Sequence, residues 1–190
     1  YFKYQDGNLE IKEYYSIKFE PDNEKSEEEW KKEIKELLED SIKAHKVADV
    51  EVGSFLSSGV DSSFIATASD VDKTFTVGWD NKNYSEIDYA KELSEMIGVE
   101  NISKKISKKE YFDNFSHIQY FMDEPLADPS AIALYFVANI ASQNVKVALS
   151  GEGADESGGE RPCAAGATAV APFAGALCEI VCAGAACAVV

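Results

Sequence analysis

Ser57, Ser58, Ser62 and Ser63 stand with Gly59 and Asp61 in one loop, between a short apolar run that ends at Leu56 and a stretch that reads as a helix from Asp61 or Ser62 onward. Those residue types suit the holding of phosphate. Hydroxyls and backbone N–H groups at the positive end of a helix dipole attract anions, and glycine lets the backbone come close. Asp61 is the informative residue, because a carboxylate beside phosphate is costly unless a divalent cation stands between them. The set therefore points to pyrophosphate held with Mg²⁺. A strand followed by Ser, Gly and Asp is also a common helix cap, so the loop alone leaves that plainer reading open.

Two more loops carry clustered carboxylates and small residues: DEPLADPSA at Asp123–Ala131 and LSGEGADE at Leu149–Glu156. LSSGVDSS resembles the pyrophosphate loop S-G-G-x-D-S of the ATP pyrophosphatases, with Ser58 in place of the first glycine. DEPLADPSA and LSGEGADE are similar to segments of the glutamine-hydrolysing asparagine synthetases. The likeness runs from about Tyr1 to Glu156.

The resemblance implies an adenine-nucleotide α-hydrolase-like fold and an ATP-dependent carbon–nitrogen ligase. Aspartate would be adenylated to β-aspartyl-AMP with release of pyrophosphate, and ammonia, drawn from glutamine in the full-length enzyme, would displace AMP. Residues carried over by matching motif are Asp61 and Asp155 for Mg²⁺ and catalysis and Glu152 as the base for ammonia. Ser57, Ser58, Gly59, Ser62 and Ser63 would bind the phosphates of ATP, and Leu56 and Val77 the adenosine, mainly by backbone. Ser150 and Gly151 would line the nucleotide site. Asp123, Glu124 and Asp128 are expected to shape or cap the aspartate pocket, with Pro125 and Pro129 setting the loop's course. A relative that adenylates another acid, as a β-lactam synthetase does, and an inactive ATP-binding fragment remain as alternatives.

The elements that must position these loops are legible as alternating runs. Tyr1–Ile17 alternates around Asp6-Gly7 and reads as a hairpin. Ser26 with Glu29 forms a capping box for a helix to about Lys46, with Trp30, Ile34, Leu37, Leu38, Ile42 and His45 as one buried stripe. Val50–Leu56 is the first strand of the main sheet and Asp61–Ser69 a helix. Lys73–Gly78 is the second strand, Ser85–Ile97 a helix stopped by Gly98, and Asn101–Ile106 a weak third strand. Ser107 with Glu110 caps a helix whose Tyr111, Phe112, Phe115, Ile118, Phe121 and Met122 are expected in the core. Ser130 to about Ser142 is an apolar helix, and Val145–Leu149 the fourth strand. Such alternation predicts α/β architecture, a doubly wound parallel sheet preceded by a short β-hairpin. The strand order of the family this chain resembles implies that the first and fourth strands are neighbours, so that their loops would face one another where the winding reverses.

The organisation expected is 1–20 as hairpin and linker from a missing glutaminase domain, 21–156 as an incomplete synthetase domain, and 157–190 as an anomalous tail. The family's glutaminase half depends on an N-terminal cysteine nucleophile and here Tyr1 opens the sequence, so glutamine hydrolysis is not expected of these residues. SGGERPCAAGATAVAPFAGALCEIVCAGAACAVV has neither caps nor amphipathic period, and no lysine follows Lys146. It reads as placeholder or out-of-frame sequence in preference to a true apolar segment, which would invite association.

All four cysteines, Cys163, Cys178, Cys182 and Cys187, lie in that tail, so the body is no disulfide scaffold. A formal net charge of -16 argues against nucleic acid, whose phosphates are met by Lys and Arg. No apolar run before the tail approaches the roughly 20 residues of a membrane span, and a cytoplasmic location is expected. A homodimer stays open. His45 and His117 read as half-buried side chains near apolar stripes, with no partner at metal-ligand spacing.

Overall fold

The computed structural model describes residues 1–14, 16, 24–80, 85–123, 127–128 and 130–151, with the backbone of 180–183 and 186–189. The chain divides into two compact units, Tyr1–Glu33 and Ile34–Val190.

The first unit opens with β1 (Phe2–Gln5) and β2 (Asn8–Ile11), paired antiparallel from Phe2 opposite Ile11 to Gln5 opposite Asn8. Asp6 and Gly7 both take positive φ, 52° and 83°, as a two-residue type I′ turn demands. Helix α1 (Glu27–His45) starts at the expected capping box: the Ser26 backbone N–H donates to Glu29 at 2.8 Å and the Glu29 N–H to the Ser26 hydroxyl at 3.3 Å.

In the second unit, β3 (Val52–Phe55), α2 (Val60–Ala68), β4 (Lys73–Trp79), α3 (Ile87–Ile97), β5 (Glu100–Ile106), α4 (Lys108–Phe121), α5 (Ser130–Ser142) and β6 (Val147–Ser150) follow in order. The sheet order is β5-β4-β3-β6, all parallel. Two short tail strands, β7 (Ile180–Ala183) and β8 (Ala186–Val189), extend it antiparallel beyond β6. From β3 the chain winds outward through β4 and β5, then returns to the other side of β3 as β6. The parallel doubly wound sheet is therefore as expected, and the winding reverses between β3 and β6.

Alternation along the strands serves both faces. Val52, Val147 and Leu149 pack with Ile42, Ile65 and Val71 under α1 and α2. Phe55, Phe75 and Ala148 face the other way and pack with Val137 and Ala141 of α5. Gly53 is required at its place. A Cβ there would stand 2.5 Å from the Phe75 ring, which lies across the strand. The third strand, weak in sequence, pairs along its whole length with β4. Gly98 ends α3 in the left-handed region, φ 75°.

Two expectations about the core need correction. On α1, Trp30 of the first unit is 37% exposed, and within the second unit Ile42 joins the sheet cluster while Ile34 and Leu37, a turn or more earlier, are 53% and 63% exposed because that cluster covers only the helix's last turns. On α4, Ile118 is buried while Phe112 is 73% exposed and Phe115 41%. A single helix face meets the sheet, and these rings flank it, with Tyr111 edge-on to Phe112 at 5.2 Å and tilted against Phe115 at 6.1 Å. His45 is half-buried, its Nδ1 2.8 Å from the Ser41 carbonyl oxygen. His117 is exposed, edge-on to Phe121 at 4.7 Å.

Candidate functional site

The residues between β3 and α2 form a tight, self-bonded loop. The Ser57 N–H donates to the Ser62 hydroxyl at 3.2 Å, and the Ser57 hydroxyl lies 2.8 Å from that of Ser62. The Gly59 N–H donates to Ser57 Oγ at 3.1 Å, while the Ser62 and Ser63 hydroxyls both donate to the Gly59 carbonyl, at 3.1 and 2.7 Å. Gly59, extended at φ -73°, is the N-cap of α2 and supplies no side chain to close it. The helix begins at Val60, one residue before the expected start, so Asp61 stands exposed in its first turn, where the dipole favours a negative charge.

Across the winding reversal, Ser54 pairs with Leu149 in register, and the Ser54 hydroxyl donates to the Leu149 carbonyl at 3.4 Å. That pairing delivers Ser150, 8% exposed, and Gly151 to the mouth of the loop. A Cβ on Gly151 would lie 2.9 Å from the Ser62 nitrogen and 3.2 Å from Asp61 Cβ. The two loops meet at backbone contact. Glu152 and Asp155 lie outside the described residues, so of the Asp61 and Asp155 pair only Asp61 has a described position.

Leu56 and Val77 sit at the carboxyl ends of neighbouring strands. Leu56 is buried, and its N–H donates to the Phe75 carbonyl at 2.9 Å. Val77 packs its side chain into the apolar clusters under α4 and α5 and stands opposite Lys104 in the β4–β5 ladder. Of the loop Asp123–Ala131, Asp123 has φ 57° and Asp128 accepts the Ser130 N–H at 2.8 Å. The Asp128 carboxyl, held below its ordinary pKa by that bond, opens α5. Glu124, Pro125 and Pro129 lie outside the described residues.

Two groups of site neighbours were not legible in the sequence. A polar relay braces the root of the loop: the Thr76 hydroxyl donates to the Leu56 carbonyl at 2.8 Å, and Asn101 Nδ2 donates to Thr76 and Thr74 at 3.0 Å each. Thr74 in turn lies 2.8 Å from the Ser94 hydroxyl of α3. The polar alternation of KTFTVG was a hint, but its partners come from other elements. The first turn of α3 also touches the loop, with the Ser58 hydroxyl donating to Glu86 at 2.8 Å and Ser63 Oγ 3.3 Å from the Tyr89 hydroxyl. No local pattern marks that contact.

Among the described residues there is no cluster of three or more His, Cys, Asp or Glu side chains able to hold a metal, and no helix long and apolar enough to cross a membrane.

The sequence is matched by known proteins. Asparagine synthetase [glutamine-hydrolyzing] 1 of Bacillus subtilis (strain 168) is 47% identical over 155 residues, 80% of this chain and 24% of that protein. A putative asparagine synthetase [glutamine-hydrolyzing] of Mycobacterium bovis is 46% identical over 128 residues, 65% of this chain and 20% of its own. The chain thus spans about a quarter of the length of the curated relatives it matches. A solved structure of NMN synthetase from Francisella tularensis overlaps 66% of this chain and 54% of its own at 17% identity, with a TM-score of 0.41. The Asparagine synthase family model matches residues 33–162, through both facing loops, and the chain belongs to that family.

Proposed function

We propose that residues 21–156 are the ATP-consuming synthetase part of an asparagine synthetase. A side-chain carboxylate oxygen of aspartate attacks the α phosphorus of ATP, the bond from that phosphorus to the bridging oxygen of the β phosphate breaks, and β-aspartyl-AMP and pyrophosphate form. Ammonia then attacks the acyl carbon, AMP leaves and asparagine results. The observation that carries this reading is the seating of Gly151 against the Asp61–Ser62 peptide in a chain of this family.

The loop's own residues supply binding and electrostatics. The open N-terminus of α2, with Ser57, Ser58, Gly59, Ser62 and Ser63, would take the β and γ phosphates; the hydroxyls now bonded to one another would rotate to do so. Leu56, Val77, Ser150 and Gly151 would hold the adenosine and the α phosphate. Ammonia is protonated at neutral pH, so the second step needs a base, and Glu152 is placed in that role.

Asp61 fits a hard cation, being an exposed carboxylate that no hydrogen bond or ion pair engages among the described residues. Asp61 and Asp155 would hold Mg²⁺, which when bound offsets the charge growing on the departing pyrophosphate. The relatives' names carry glutamine hydrolysis, and we place glutamine as the source of ammonia in a longer protein, with residues 1–20 leading from its glutaminase portion.

The names of the relatives favour aspartate over another acid. The test gives the chain, and separately a longer protein containing it, ATP, Mg²⁺, ammonium and a panel of carboxylic acids, and follows pyrophosphate and asparagine. Aspartate-dependent pyrophosphate release is expected. Release with a different acid alone would replace the reading by another adenylating synthetase, and Mg-ATP binding without turnover by either protein would reduce it to nucleotide binding.

A further inference from the structure

We infer that Glu86 is a positioning residue for the loop at 57–63, an inference that rests on the reading of that loop as the nucleotide site. Glu86 occupies the N-cap position of α3, where side chains of suitable length close the helix, yet it makes no side-chain bond to its own helix. Its carboxylate accepts the Ser58 hydroxyl at 2.8 Å, across 28 residues of sequence.

The turn that carries Glu86 is a fixed wall. Ser85 and Ile87 press on the end of β4, where a Cβ on Gly78 would stand 2.8 Å from Ser85 Oγ and 3.0 Å from Ile87 Cγ1. Ile87 and Ala90 are buried, and Ala90 packs with Leu56 and Ala66, which flank the loop on its two sides. Tyr89, on the same turn, brings its hydroxyl to 3.3 Å from Ser63 Oγ. One rigid turn thus touches the loop before and after its glycine.

A hydroxyl on an exposed loop residue samples several rotamers, and each unfixed rotor leaves the adjoining peptide free to turn. Bonding to a carboxylate engages the Ser58 hydrogen and restrains that peptide. Ser58 would therefore serve phosphate through its backbone N–H, and Glu86 would act on affinity without touching the ligand.

Calorimetric titration of this chain with Mg-ATP tests the inference on wild type, Glu86→Ala, Glu86→Gln, Ser58→Ala and the double variant Ser58→Ala/Glu86→Ala. Each alanine variant should weaken Mg-ATP by roughly fivefold, the net worth of one typical hydrogen bond. The double variant should be no weaker than either single one, because both remove the same bond. Glu86→Gln keeps an acceptor and should stay within about twofold of wild type. Thermal midpoints should not move. Wild-type affinity in Glu86→Ala, additive losses in the double variant, or a loss in Glu86→Gln equal to that in Glu86→Ala would each overturn the inference while leaving the nucleotide site intact. Failure of wild type to bind Mg-ATP would instead overturn the reading of the site.

Discussion

Gly151 lies so close to Ser62 that a single methyl group on the glycine would stand 2.9 Å from the serine nitrogen. These residues are far apart in sequence and belong to the loops leaving β6 and β3. Their contact sets the start of the second motif directly against the first. Gly151→Ala should push the start of α2 away from β6 and weaken Mg-ATP by about tenfold or more, the worth of one lost hydrogen bond to a charged group. Calorimetry alongside a thermal melt checks this. Full affinity with an unchanged melt would show that the approach is incidental.

Asp61→Ala should abolish Mg-ATP binding while leaving the fold in place, since the side chain is exposed and a surface substitution usually changes stability by no more than about 0.5 kcal/mol. The measurement is again affinity, with circular dichroism as the control. Unchanged affinity would count against Asp61 as a metal ligand.

Glu152→Gln separates the two half-reactions. Aspartate-dependent pyrophosphate release should persist, while asparagine formation from ammonium should fall by roughly 10²-fold or more, the usual worth of general-base catalysis. Parallel assay of both products decides it; equal losses in both would assign Glu152 to nucleotide binding.

The start of α4 should respond to acid. The Ser107 backbone N–H and hydroxyl, with Lys104 at 3.1 Å, hold the Glu110 carboxyl down to about 2 from 4.5. A pKa lowered on folding contributes stability that is present above about 4.5 and is lost as pH falls from there toward 2. Ser107→Ala should raise the Glu110 pKa in an NMR titration and shrink that acid-dependent loss. A Glu110 pKa that stays put would mean Lys104 alone sets it.

Gly53→Ala tests the packing beneath the site. Its Cβ would meet the Phe75 ring at 2.5 Å in a fully buried layer, and overpacking of that kind costs about 1–3 kcal/mol. Urea unfolding should show a lower midpoint with an unchanged slope. No shift would mean that the ring has room to slide.

By itself the sequence determined the alternation of strands and helices, both capping boxes, the Asp6-Gly7 turn and the composition of the serine loop, because each is set by residues within a few positions of one another. Local periodicity did not settle which apolar side chains are covered. Trp30, Ile34, Leu37 and Phe112 lie on apolar stripes yet stay exposed, since burial depends on how far a neighbouring element reaches. Only the tertiary structure decided that Gly151 abuts Ser62, that Thr76 holds the Leu56 carbonyl, and that Glu86 reaches Ser58. Those contacts arise from the strand order β4-β3-β6 and from where α3 lands on it. Long-range pairing leaves no mark on the spacing of residues along the chain.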